Sequence, residues 1–429
     1  MNRLLVVSFL DVVGTPNSRT RHLVRHLSPL FQETFLISRA NVARKSRLMR
    51  WTAPFCLRTE VIREKSIKWI SMSPLGNIRP GLVQHLFRFQ GPLNSSGWDL
   101  NRILRRILST LGFVLELGVL PSLLLTYIFK IRGRVDIFIG EGPWEITFGL
   151  FLRRVRLVKT VIFDDIDYVP GFQPNSAFRR NTAAALEKLG ARHSDAVISV
   201  SSRLMLLRRE QGSRSSFLIP NGADIDLFAQ AYKNRKDLDN RRPTLIYMGY
   251  LGSWSGIELI LEAGSLLAKR IKDIRIIILG NGSAADLQAF HNEVLGRNLA
   301  DIVDFRGEVS YSELPVHLAE ADIGLAMLRP EDVTRYAFPL KVVEYMAAGL
   351  PVLTTEDTEA ADIVKQAGAG MAVSYDALKV ANATVELLTN VEEFRRLSEN
   401  AMAAASEYDW ERLMMNYRSL LKNYCPTGS

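Results

Sequence analysis

The sequence predicts an α/β fold of two doubly wound, mainly parallel-sheet domains facing a central cleft. Strand-like runs alternate with helical patterns along the chain, and the runs are short, rich in branched residues and apolar on both faces. At 429 residues the chain also exceeds what one hydrophobic core organises. Strand-helix alternation of this kind builds βαβ units and parallel sheets.

The second half shows the pattern most clearly. Strands are expected at TLIYMGY (244–250), IRIIILG (274–280), IVDFRG (302–307), DIGLAM (322–327) and PVLTT (351–355). Helical patterns such as IELILEAGSLLAKR (257–270) and PLKVVEYMAAG (339–349) separate them. In the first half, strands are expected at 3–10, 34–39, 66–72, 134–141, 159–165 and 195–201. The opening run MNRLLVVSFL stops at Asp11 without a small-residue cleavage site, so it reads as the first strand and not as a signal peptide.

The loop IPNGADIDLF (219–228) marks the junction. Residues 1–222 are expected to form the acceptor-side domain, with a basic, apolar insert at 44–131. Residues 223–405 are expected to form the second domain, and 406–429 a helix returning to the first.

Apolar residues make up 47% and charged residues 23%, which excludes disorder. The two cysteines, Cys56 and Cys425, lie far apart and in no metal-ligand spacing, which fits a reducing, cytoplasmic setting. Net charge is +9, yet residues 44–106 hold thirteen Lys or Arg against three acids, so the rest of the chain is close to neutral. A local anionic surface, and not nucleic acid, is the partner such a distribution fits.

The stretch RYAFPLKVVEYMAAGLPVLTT (335–355) carries the chemistry. Pro339 suits a first helical turn, and the amides from Phe338 through Leu340 to Lys341 would then offer an anion site at the helix start. Lys341 adds a positive charge there. Glu344, about one turn on, can accept two hydroxyl hydrogen bonds from a ribose. A nucleotide-sugar fits such a site. The alternative is a solvated i,i+3 pair of Lys341 with Glu344. Elsewhere, FDDIDYVPGF (163–172) places Asp164, Asp165 and Asp167 at a strand end, as acceptor-side catalytic carboxylates or as a polar, capped turn.

These segments, in order, resemble the donor half of the GT-B fold glycosyltransferases of the large retaining family four. The likeness runs through DAVISVSSRL, IPNGADIDLF, IYMGYLGSWSGIELILEA, IIILGNGSAADLQ, FRGEVSYSELPVHLAEADIGLAM and FPLKVVEYMAAGLPVLTT, over about residues 195 to 415. It implies two Rossmann-like domains, a nucleotide-sugar co-substrate, no metal or other cofactor, and retention of anomeric configuration. A donor phosphate oxygen would then help deprotonate the acceptor.

Residue by residue, Glu344 matches the ribose-binding second acid of the family's Glu-x7-Glu motif, while Tyr336 stands where the first acid belongs. Gly249 and Gly252 match the phosphate-approach loop, Gly280 and Gly282 its Gly-x-Gly neighbour, and Gly14 the loop under the donor phosphates. Tyr250 and Ser255 replace that loop's usual Arg and Lys. Lys341, Arg335 and Arg203 are the cations left to meet phosphate, and Asp362 stands near the nucleotide position. The cleft histidine of the family is replaced by Gly140 or Glu141.

In the insert, Trp51, Trp69, Phe87, Phe89 and Trp98 interleave with Arg102, Arg105 and Arg106 ahead of an apolar run at 107–132. Glu116 and Pro121 interrupt that run below the ~20 residues a span requires. A buried or membrane-lying helix pair fits better than a span, and the localised charge favours an anionic membrane surface. The expected protein is a cytoplasmic hexosyltransferase, peripheral on the inner face of the plasma membrane, with a glycan or lipid-linked acceptor. A sugar-nucleotide epimerase and a non-catalytic GT-B partner subunit are the alternatives.

Overall fold

The computed structural model describes residues 2–10, 18–39, 58–64, 67–73, 118–173, 176–234 and 242–424. By contacts the chain divides into two units, residues 1–199, 205–217 and 417–429 in the first, and 200–204 with 218–416 in the second.

The first unit is built on an eight-stranded sheet: β1 (Arg3–Ser8), β2 (Glu33–Arg39), β3 (Arg58–Glu64), β4 (Ile67–Ser73), β5 (Val135–Gly140), β6 (Val158–Asp165), β7 (Ala196–Ser199) and β8 (Ser216–Leu218). Their spatial order is β3-β4-β2-β1-β5-β6-β7-β8. β1 pairs in parallel with both β2 and β5, Val7 standing opposite Ile37 and Gly140. The chain winds to one side after β1 and to the other after β5, so a topological switch point lies between them.

β3 is the exception to the parallel rule. It pairs antiparallel with β4, Val61 opposite Ile70. Its sequence RTEVIRE, with four charges in seven residues, hid it from hydropathy reading. It also takes residues 58–64 and 67–73 of the supposed insert into the sheet.

The second unit holds a six-stranded parallel sheet: β9 (Thr244–Met248), β10 (Arg275–Leu279), β11 (Val303–Gly307), β12 (Ile323–Ala326), β13 (Val352–Thr355) and β14 (Gly370–Val373). The order is β11-β10-β9-β12-β13-β14, which places its switch point between β9 and β12. Leu245, Ile276, Ile278, Leu325 and Leu353 are buried from the sheet, against Leu259 and Ala263 from the helix Ile257–Leu267 and Val380 and Leu387 from Ala377–Thr389. At ~25 cal/mol per Å² of apolar surface this core is the principal stabilising term for the unit.

Residues 118–131 are the described part of the apolar run. They form a helix, Val119–Thr126, continued by a wider turn, Tyr127–Ile131. Val119, Leu123, Tyr127 and Ile131 are buried in the first unit's core, and the Tyr127 ring stands edge-on to Phe148. Leu125, Ile128 and Phe129 are exposed beside Lys130 and Arg132. Among the described residues no helix is long and apolar enough to cross a membrane.

Candidate functional site

Both chain segments that leave the β9–β12 switch point carry candidate residues. After β9, Gly249 takes φ +142° and Gly280, after β10, takes φ +143°. A Cβ on Gly280 would stand 1.8 Å from the Gly249 carbonyl oxygen, and one on Gly249 would stand 2.9 Å from Lys341 Nζ. The positive φ requires glycine at both positions, and at Gly280 the backbone contact requires it as well. A Cβ on Gly252 would meet the Trp254 ring at 2.8 Å, and one on Gly282 would lie 3.2 Å from Asp286. Tyr250 and Trp254 stack on each other, centroids 5.7 Å apart. The Ser255 hydroxyl is buried without a hydrogen-bond partner.

Lys341 sits on the second helical residue of Leu340–Ala347. Its ammonium lies 4.1 Å from the centre of the buried Tyr247 ring, a cation–π contact that holds the charge beside Gly249. No acidic side chain pairs with it among the described residues. Glu344 follows one turn later, 9% exposed and with no side-chain hydrogen bond among the described residues. Burial pushes its carboxyl up to about 7, partly offset by Lys341. The solvated Lys341–Glu344 pair is therefore not what forms.

Other expectations for this segment need correction. Pro339 caps the helix in a non-helical conformation (φ −86°, ψ 87°) and does not lie within the first turn. The Leu340 N–H donates to Phe338 O (3.1 Å) and the Val342 N–H to Pro339 O (2.9 Å), so between Leu340 and Val342 only the Lys341 amide lacks a backbone acceptor among the described residues. The Phe338 ring is buried against Tyr408, which leaves only its backbone for the expected anion contact. Arg203 is held by Asp362 (Nε–Oδ2 2.6 Å), so these two supposed nucleotide contacts engage each other. Arg335 is exposed, 3.9 Å from Asp332. Of the three cations proposed for phosphate, Lys341 is the one without an acidic partner among the described residues. The Tyr336 carbonyl accepts the Ser201 hydroxyl (2.6 Å).

In the first unit the aspartates fare differently from one another. Arg19 clamps Asp164 with two prongs, Nε to Oδ2 at 3.0 Å and Nη2 to Oδ1 at 2.8 Å, both side chains buried. Arg208 does the same for Asp165 (2.8 and 2.9 Å) and also holds Glu187 at 2.8 Å. Such forks fix two carboxylates as structural ions, which corrects their reading as acceptor-side catalysts. Asp167 remains: among the described residues no side chain holds it, and burial together with the Asp165 charge pushes it up to about 7. Glu141, one of the two residues matched to the family's cleft histidine, is buried, accepts the Thr20 hydroxyl (2.8 Å) and is pushed up to about 8 by burial and by Asp164. Gly14, Cys56 and Cys425 lie outside the described residues. Among the described residues no cluster of three or more His, Cys, Asp or Glu stands ready for a metal.

These raised values predict a pH dependence. Asp167 and Glu141 keep their protons in the fold to about 7 and about 8, whereas the unfolded chain releases them near 3.8 and 4.5. Across that window the unfolded state binds fewer protons, so stability falls as pH rises, by up to ~1.4 kcal/mol per unit per group, and levels off above the folded values. Urea midpoints at about pH 5 and about pH 8.5 should differ, with the lower pH more stable.

Comparison with known proteins adds identity to this geometry. The family model described as glycosyl transferases group 1 matches residues 242–390. A mannosyltransferase of Mycobacterium tuberculosis, GDP-mannose-dependent alpha-(1-6)-phosphatidylinositol monomannoside mannosyltransferase, is 26% identical over 48% of this chain and 55% of its own length. The GDP-mannose:cellobiosyl-diphosphopolyprenol alpha-mannosyltransferase of Xanthomonas oryzae is 26% identical over 47% of this chain and 50% of its own. The match thus spans about half of these relatives.

Among solved structures, sucrose-phosphate synthase from Thermosynechococcus elongatus superposes with a TM-score of 0.71 at 18% identity, over 99% of each chain. Anabaena HepE, solved with UDP, gives 0.66 at 16% identity, over 99% of this chain and 100% of its own. At such identities the structural likeness speaks for the fold. Fold and family model point the same way: residues 242–390 of the second unit are similar to the glycosyl transferases group 1, and the two-unit α/β scaffold is that of GT-B structures.

Proposed function

We propose that the protein is a retaining, metal-independent glycosyltransferase that moves a hexosyl group from a nucleotide-sugar to a glycan or lipid-linked acceptor at a membrane surface. One observation carries the reading: among the described residues Glu344 is buried without a hydrogen-bond partner, one helical turn behind a Lys341 that has no acidic partner. A diphosphate at Lys341, with ribose hydroxyls on Glu344, supplies both side chains with partners. Gly249 and Gly280 bring backbone close to that position. The related mannosyltransferases named for GDP-mannose make GDP the first nucleotide to test, and HepE makes UDP the second.

The test is a thermal-shift panel of nucleoside diphosphates. A base present at 100 times its dissociation constant stabilises by ~2.7 kcal/mol, so one nucleotide should raise Tm well above the others. A flat panel would remove the donor reading. It would favour the non-catalytic partner subunit instead, for which Tyr336 at the first motif position is the specific observation.

Membrane contact is the second part of the proposal. Leu125, Ile128 and Phe129 are exposed next to Lys130 and Arg132, and the chain's basic excess lies within 44–106. Anionic headgroups attract such residues at ~1 kcal/mol per cation. The purified protein should co-sediment with vesicles containing anionic lipid at low salt and be released at high salt. Equal sedimentation with neutral vesicles would refute the electrostatic part.

A further inference from the structure

The two large aromatic side chains of residues 250–255, the loop that leaves β9, stack on each other and do not pack into the core. The Tyr250 and Trp254 rings are nearly parallel, 7° apart with centroids at 5.7 Å, and both are exposed. The surrounding structure fixes them. The Tyr250 carbonyl accepts the Tyr247 hydroxyl (3.0 Å), and the Tyr250 hydroxyl donates to Asp286 (3.4 Å). The Trp254 carbonyl accepts the N–H of Arg329, just beyond β12 (3.1 Å), and the Trp254 ring lies over Gly252. Lys341 stands beside the pair, its ammonium over the same Tyr247 ring whose hydroxyl holds Tyr250. Leu340, next to Lys341, is exposed as well. Two rings and an aliphatic side chain thus border the cation assigned to the diphosphate, and the rings are already ordered before any ligand arrives.

We propose that Tyr250 and Trp254 form the wall on which the transferred sugar lies, and that they select a sugar with a deoxygenated edge, such as a 6-deoxyhexose, over a fully hydroxylated hexose. The inference rests on the donor reading above and names the class of sugar that the donor carries. With diphosphate at Lys341, the sugar bonded to it falls beside the ammonium, where the rings stand. C–H groups gain contact on the rings, whereas a hydroxyl turned towards them gives up water and finds no partner. The acids of this segment are engaged. Asp286 Oδ2 accepts the Ser283 N–H (3.1 Å) and hydroxyl (2.5 Å) as well as the Tyr250 hydroxyl. Glu258, the next acid along the chain, is held by Arg329 and by the Tyr375 hydroxyl (2.6 Å). An apolar wall discriminates by one such group about tenfold to a hundredfold.

The test is isothermal titration of the full chain with GDP, GDP-mannose and GDP-6-deoxymannose, and with UDP, UDP-glucose and UDP-6-deoxyglucose as the second set. The deoxy sugar nucleotide is expected to bind about tenfold tighter than its hydroxylated counterpart. Trp254→Leu and Tyr250→Ala should abolish that preference and leave the affinity for the free nucleoside diphosphate unchanged. Trp254→Phe, which keeps a ring, should keep the preference. Unchanged nucleoside diphosphate affinity also shows that the second unit of each variant is folded. Equal binding of the two sugar nucleotides by wild type, or a preference that survives both substitutions, would overturn the proposal. So would an equal loss of nucleoside diphosphate affinity in folded variants, since the rings would then hold the base and not the sugar. If wild type binds neither nucleoside diphosphate, the donor reading fails first and the wall falls with it.

Discussion

Replacing Glu344 by alanine is expected to weaken nucleoside diphosphate binding about tenfold to a hundredfold while leaving the free protein no less stable at alkaline pH. The first effect follows from hydrogen bonds to a charged group, worth ~1.5–3 kcal/mol. The second follows from burial: the carboxyl is 9% exposed, unpaired and held up to about 7, so above that pH the fold carries a poorly solvated charge. Glu344→Gln separates the effects, because it keeps the shape, loses the charge and should raise the urea midpoint at about pH 8. A ligand site and a structural contact make opposite demands here. If Glu344→Ala destabilised the free protein by several kcal/mol and left nucleotide affinity intact, the residue would be part of the core and the donor site would have to lie elsewhere.

Arg208→Ala should be the most damaging single change in the first unit, costing ~3–5 kcal/mol in urea unfolding. Arg208 is fully buried, and its guanidinium answers Asp165 and Glu187 together, so its loss leaves two carboxylates with no counter-charge. The loss should be smaller at about pH 5 than at about pH 8, because the stranded acids can then take up protons. Adding Asp165→Asn to Arg208→Ala should recover part of it. A loss below about 1 kcal/mol at both pH values would mean that water reaches the pair and screens it.

The sequence made the second unit readable because its strands are buried on both faces and therefore appear as plain apolar runs. Lys341 and Glu344 were legible for a related reason: helical spacing put a cation and a carboxylate one turn apart at the start of a helix. What spacing left open was burial, which decides between a solvated pair and a ligand site. The aspartates show where local reading stops. Asp164 and Arg19 are separated by 145 positions, and nothing in SRLMLLRRE distinguishes the buried Arg208 from Arg209 beside it. Three adjacent carboxylates looked alike, and two guanidinium groups from distant helices sorted them. β3 escaped because an antiparallel rim strand with alternating charges has no hydropathy signature, and β8 because it is three residues long.

That rim strand has a consequence for how copies of the chain meet. β3 ends one sheet with Arg58, Glu60, Arg63 and Glu64 in its seven residues, and at the other end β8 offers only three. In the second unit β11 carries Asp304 and Arg306, joined at 2.8 Å, and β14 is four residues long. Among the described strands, none of the four margins offers a neighbouring molecule a long, uncharged strand to add itself to, which is the seam along which sheet proteins otherwise polymerise. A chain with this much apolar interior is guarded against stacking at the places where stacking would begin.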